Sequence, residues 1–158
     1  MPFHDANGLL GIILTGPNGS SAEVLLHGGQ VVSWRNERRE ELLFMSSNKK
    51  SWKQPKAIRG GISICFPQIG NLGLLEQDGF ARNRMWSLDH EDLKIWPRSF
   101  ELRLRVSLTA GKLTLIPRVR NTDNKAFSFT FGLCNYLSVS DIGEVRVEGL
   151  ETLDYLII

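Results

Sequence analysis

Residues 100–121, FELRLRVSLTAGKLTLIPRVRN, decide the fold class. In the first ten, Phe100, Leu102, Leu104, Val106 and Leu108 fall on one side of an extended chain. Glu101, Arg103, Arg105, Ser107 and Thr109 fall on the other, the two-residue period of a strand with one buried face. Ala110 and Gly111 then mark a turn, and residues 112–121 return with Leu113, Leu115 and Val119 in register. Pro117 lacks the N–H that a ladder needs, so the second strand is expected at an edge or with a bulge there. The stretch reads as a β-hairpin.

The same pattern continues in both directions. After a turn cluster at 121–124, Phe127, Phe129, Phe131 and Leu133 form a third apolar stripe. Upstream, Gly16-Pro17-Asn18-Gly19 separates strand-like residues 12–15 from 22–26. His27-Gly28-Gly29 leads into 30–34, and 36–39 turn into 41–45. Near the end, Val145 and Val147 alternate with Glu144, Arg146 and Glu148, while 91–96 alone suggest a helical turn. Short strands with turns every 8 to 12 residues or so predict an all-β sandwich. There is no internal repeat and no low-complexity segment.

A chain of 158 residues fits one domain, read here as 1–158, with 42% hydrophobic and 23% charged residues typical of a globular protein. The net charge of +2 is too small to suggest a nucleic-acid partner. No run approaches the about 18 apolar residues of a membrane span. The N-terminus has His4 and Asp5 where a secretion signal would be basic. Cys65 and Cys134 are therefore expected as reduced thiols. Neither belongs to a C-x-x-C pair, and His4, His27 and His90 are scattered, so the spacing suggests no metal ligands.

Residues 56–88, KAIRGGISICFPQIGNLGLLEQDGFARNRMWSL, carry most of the candidate chemistry. Arginines, glutamines and several glycines between short apolar strands suit a pocket for a phosphorylated sugar. Arg59 stands beside Gly60 and Gly61, which would let the backbone approach a ligand while the guanidinium fork meets phosphate oxygens in pairs. The commoner reading of such a triplet is a turn with an exposed arginine. Gln77 offers a donor and an acceptor for sugar hydroxyls, and Arg82 a second cation. Asp78, beside Gly79, reads locally as a turn or N-cap residue. Lys53, Asn83 and Arg84 read as solvated. Trp86 has two readings, stacking on a sugar face and the commoner core packing. Cys134 shares a strand face with Ser128, Thr130 and Tyr136. A small buried apolar role is commoner there than a nucleophile, since no histidine is nearby in sequence.

Long blocks of the chain resemble the plant-type glucose-6-phosphate 1-epimerases, in the aldose-1-epimerase (galactose mutarotase-like) superfamily. They are LLHGGQVVSWRNER at 25–38, EELLF at 40–44, PKAIRGGISICFPQIGN at 55–71 and LEQDGFARNRMWSL at 75–88. EDLKIWPRSFELRLRVSL at 91–108 and FSFTFGLCNYLSVSDIGEVRVEGLETLDYL at 127–156 complete the likeness. The resemblance implies a β-supersandwich fold, a cytoplasmic setting and a hexose 6-phosphate ligand such as glucose 6-phosphate. It implies neither metal nor organic cofactor, no nucleic-acid or membrane partner, and leaves the oligomeric state open.

The family reaction that it implies is interconversion of α and β anomers. A base takes the C1 hydroxyl proton while an acid protonates the ring oxygen; the ring opens, rotates and closes from its other face. Arg59, Gln77 and Arg82 match the family's substrate-binding residues. Asp78 stands where the family pattern HGFAR has its histidine. Cys134, in Leu133-Cys134-Asn135-Tyr136-Leu137, stands where LHTYL has the catalytic one. A thiol is a poor donor and shorter than imidazole, and an aspartate repels a phosphate. By resemblance, the general-base glutamate and a further substrate-binding aspartate lie beyond Ile158, and a loop and strand are missing between His90 and Glu91. The sandwich is thus expected to be incomplete at its C-terminus, with open edges and exposed apolar faces. The alternative reading is a catalytically impaired phosphosugar-binding protein or a non-functional fragment.

Overall fold

The computed structural model describes residues 1–46, 57–88 and 98–154. The expectations for Lys53, for the helical turn at 91–96, for the junction at 90–91 and for the last four residues lie outside these. The described strands are β1 (Pro2–His4), β2 (Leu10–Thr15), β3 (Ser21–Leu25), β4 (Gln30–Arg35), β5 (Ile62–Cys65), β6 (Phe100–Thr109), β7 (Lys112–Asn121) and β8 (Gly132–Asn135). One sheet has the order β1-β2-β3-β4-β5-β8, and the β6-β7 hairpin forms the other. Neighbouring strands run antiparallel, and the two layers make the all-β sandwich that the alternation predicts.

The hairpin keeps its register from Thr109↔Lys112 to Phe100↔Asn121, closing on Gly111 in the left-handed region at φ 65°. Pro117 sits opposite Leu104 without a register shift, as an edge proline can, because its missing N–H points away from the partner. Leu102, Leu104 and Val119 pack on a cluster of Ile64, Phe66, Phe80, Ala81 and Phe100. Leu113 and Leu115 reach a second cluster of Val31, Leu43 and Ile62. The alternating face of the hairpin therefore closes over β4 and β5. These side chains are partly buried, so each contributes less than a fully buried one, which is worth about 1.5–3 kcal/mol.

Phe66, just past β5, is the hub of that core. Its ring centroid lies 5.3 Å from those of Phe100 and Phe129, 6.3 Å from Phe80 and 6.4 Å from Phe131. The third apolar stripe packs here, but its ladder begins only at Gly132. The reason is local. Pro67 breaks the donor pattern opposite the stripe, so Thr130 meets this segment by two separate bonds, its N–H to the Pro67 carbonyl and its hydroxyl from the Ile69 N–H.

Two expected strands differ. Residues 41–45 make isolated bridges at Glu41, Leu43 and Met45, because the Glu41 carboxylate takes the Ser33 hydroxyl and the Trp34 and Leu43 amides that would otherwise seek ladder partners. The alternation around Val145 and Val147 forms no strand. A short 3₁₀ turn, Ile142–Glu144, precedes it, with the Asp141 side chain accepting the Gly143 amide. Both valines are exposed, and no described strand offers them hydrogen bonds or a face to cover. No helix among the described residues is long and apolar enough to cross a membrane.

Candidate functional site

The loop after β5 is built around two polar side chains. Gln68, buried, donates to the carbonyls of Gly70 and Leu75 and accepts from the Leu75 amide. It stands in for a missing strand inside the loop. Asp78 closes the loop: its N–H donates to the Gly70 carbonyl and its Oδ1 accepts the Gly70 N–H at 2.8 Å. Its φ of 61° is left-handed, which an aspartate tolerates better than most residues. Gly79 follows at φ 71°, so close to the core strand that a Cβ would lie 2.1 Å from the Phe66 carbonyl oxygen. The Asp78 carbonyl accepts the Phe66 N–H, and the Phe66 carbonyl accepts the amides of Phe80 and Ala81. Asp78 is thus tied to the centre of the core, as its local turn reading predicts.

Arg82 lies on the 3₁₀ turn Ala81–Asn83 that follows. One terminal nitrogen sits 2.7 Å from Asp78 Oδ2, and the other donates to the Gln77 carbonyl at 2.8 Å. Its side chain is 22% exposed, that of Asp78 13%, so the pair is partly withdrawn from water and less screened than a surface bridge. Its Nε is buried and makes no hydrogen bond among the described residues. Gln77 itself is exposed.

Beside this pair lie the two thiols. In the β5–β8 register Cys134 is opposite Ser63 and Cys65 opposite Gly132, so the cysteines are diagonal neighbours on one face. Their sulfurs are 3.2 Å apart, and one ligand atom of Asp78 lies within 4.8 Å of both. Burial pushes the Cys65 thiol far above its usual range. The hydrogen bond and charge of Cys134 and the carboxylate of Asp78 push the same way, and Arg82 opposes them.

Gln77, Asp78, Arg82 and Cys134 are therefore gathered in one place, and Arg59 is not. It is exposed, before β5, whereas Cys65 ends that strand. Gly60 and Gly61 do not free the backbone for a ligand. A Cβ on Gly60 would lie 2.6 Å from the Phe44 carbonyl oxygen, and one on Gly61 2.1 Å from that of Val31. The glycines let β5 approach its neighbours, and the buried Gln30 amide locks them by donating to the Ile58 and Gly60 carbonyls.

Asn83 and Arg84 are half-buried, not solvated: the Asn83 amide donates to Glu76, and the Arg84 carbonyl accepts the Gly28 amide. Trp86 takes its core role, packing on the main cluster and over Gly29 with its indole N–H on the Ala81 carbonyl. His27 is buried and forms an isolated antiparallel bridge with Met85, and burial lowers its pKa. The sequence alone singles out neither Cys65 nor Gln68 as a site residue. Cys65 had a signal, its shared strand parity with Ser63, but nothing local sets the register against β8.

Two antiparallel layers with no α-helix among the described residues define the class of fold, an all-β sandwich. Residues 12–157 match the family model described as aldose 1-epimerase, and the chain belongs to that family. It is 53% identical to a provisionally named glucose-6-phosphate 1-epimerase of Cenchrus ciliaris, covering 95% of this chain and 53% of that protein. A protein of the same name from Escherichia coli strain K12 is 32% identical, over 82% of this chain and 49% of the relative. Among solved structures, a provisionally named mutarotase from Salmonella typhimurium superposes with a TM-score of 0.72 at 27% identity, covering 87% of this chain and 51% of that one. The chain spans about half the length of the curated relatives it matches. The Cenchrus match extends over 176 positions, more than the 158 residues of this chain, so the relative carries residues within the matched span that are missing here.

Proposed function

We propose that the protein takes a hexose 6-phosphate, with glucose 6-phosphate as the type ligand, in the cytoplasm, and that its family role is interconversion of the α and β anomers. One observation carries the reading. Arg82, a bidentate cation, is held in a fixed orientation by the Gln77 carbonyl and Asp78, on a loop pinned to the hydrophobic core. A pre-oriented guanidinium loses little freedom when it meets a phosphate. The exposed Gln77 side chain would serve a sugar hydroxyl, and Arg59 would have to reach the ligand from the other end of β5. The names of the relatives from Cenchrus and Escherichia coli support the same ligand class.

The proton transfers are harder to supply, and the geometry favours a second reading, binding without turnover. In the positions assigned by resemblance to the family's histidines, Asp78 is engaged by Arg82 and the Gly70 amide. Cys134 faces Cys65. A carboxylate already bonded to a guanidinium and an amide is less available to a sugar hydroxyl, and a thiol is a weak donor.

Exchange NMR between the anomers of glucose 6-phosphate, run beside calorimetry, separates the readings. Exchange above the spontaneous rate that disappears in Arg82→Ala establishes turnover. Heat of binding without added exchange establishes the second reading. No heat at millimolar ligand in a sample with a cooperative melt rejects both.

A further inference from the structure

Cys65, Cys134 and Asp78 present two soft donors and one hard donor from three different segments. Two sulfurs on one tetrahedral zinc ion, each about 2.3 Å from the metal, would sit about 3.8 Å apart. The observed 3.2 Å is within a small side-chain rotation of that spacing, and the Asp78 oxygen lies within 4.8 Å of both sulfurs. We propose that these three side chains form a site for a thiophilic divalent cation of the zinc class, with a fourth coordination position left for water or a ligand oxygen.

The surroundings fit this occupant. Two thiolates and a carboxylate beside Arg82 are neutralised by a divalent ion, whereas a monovalent soft cation would leave a net negative charge partly out of water. Asp78 already has the outer contacts of a metal-ligating carboxylate: Arg82 on Oδ2 and the Gly70 amide on Oδ1. Each oxygen keeps a further lone pair for the metal. β5 and β8 fix both cysteines on rigid, paired backbone, so the site is largely assembled before the ion arrives. The cation would displace one proton from each thiol into solvent, with no change of oxidation state. The inference rests on this geometry alone and stands whether or not the neighbouring arginine takes a phosphosugar.

The test uses the full chain, fully reduced, titrated with Co²⁺ and then Zn²⁺. The expected result is intense thiolate-to-cobalt charge-transfer absorption together with tetrahedral d–d bands, saturating at one ion per chain and abolished by equimolar Zn²⁺. Cys134→Ser should remove the charge-transfer band or weaken Co²⁺ binding by about tenfold or more, and Asp78→Asn should weaken it while keeping the sulfur signal. As a check needing no variant, Zn²⁺ should protect Cys65 and Cys134 from alkylation in the native chain, read by peptide mass. Three outcomes overturn the proposal. They are a folded, reduced chain that gives no cobalt–thiolate signal, a full signal in Cys134→Ser, and a pair that is recovered from reducing buffer as a disulfide two hydrogens lighter.

Discussion

Residues 60–68 and residues 135–154 carry similar apolar residues and meet opposite fates. Every residue in the first stretch is buried, and every residue in the second is exposed. The difference lies in what each segment can pair with. β5 has β4 on one side and β8 on the other, with the β6-β7 hairpin closing over it. Val145 and Val147 alternate as cleanly as many strands, yet no described strand supplies them with hydrogen bonds. Alternation is thus a necessary sign of a strand and is not sufficient for one; the ladder and the covering face come from elsewhere in the chain.

The contrast is broken most severely at its packed end. Phe66→Ala should cost about 3–5 kcal/mol through the cavity it leaves among four aromatic rings. Gly79→Ala should cost a comparable amount, since its φ of 71° and a Cβ 2.1 Å from a carbonyl oxygen both forbid a side chain. Denaturant melts measure both. Asp78→Asn should lower stability by about 1–2 kcal/mol, because it removes the Arg82 ion pair and keeps an acceptor for the Gly70 amide.

A gentler effect is set by pH. Burial depresses the His27 pKa below its ordinary 6.5, so below that pH the unfolded chain binds more protons, and stability falls as pH drops towards the folded value. Cys65 is shifted upward from 9.0, so above that pH the unfolded thiol ionises while the folded one does not, and stability falls as pH rises. Denaturation midpoints should therefore peak between these two limits and decline on both sides. The smallest effect belongs to the exposed end: Val147→Ser should shift stability by less than about 0.5 kcal/mol. A large cost there would mean that the segment is covered in solution and would erase the contrast.

The sequence made different parts of this molecule legible for physical reasons. The hairpin was readable to the residue because its pairing is local: a two-residue turn and an uninterrupted alternation fix both strands. Asp78 as a turn residue was readable for the same reason, since glycine beside aspartate signals a left-handed backbone. The pairing of Cys65 with Cys134 was not, because 69 residues separate them and only the packing of β5 against β8 sets their register. Asn83 and Arg84 look solvated in the sequence and are half-buried in the fold, because polar residues are covered by what folds over them, which no local pattern records. Arg59 stands with Arg82 by chemistry and by the family resemblance, and its place before β5 is one that no local pattern records.

The proposed phosphosugar grip rests on Arg82, held by Asp78 and the Gln77 carbonyl, and the most direct test is the affinity for glucose 6-phosphate of Arg82→Ala against the native chain, by calorimetry on folded samples. Loss of the guanidinium should weaken binding about tenfold or more, at least ~1.4 kcal/mol. Equal or tighter binding in Arg82→Ala, or no binding in either protein, would contradict a phosphosugar grip built on Arg82.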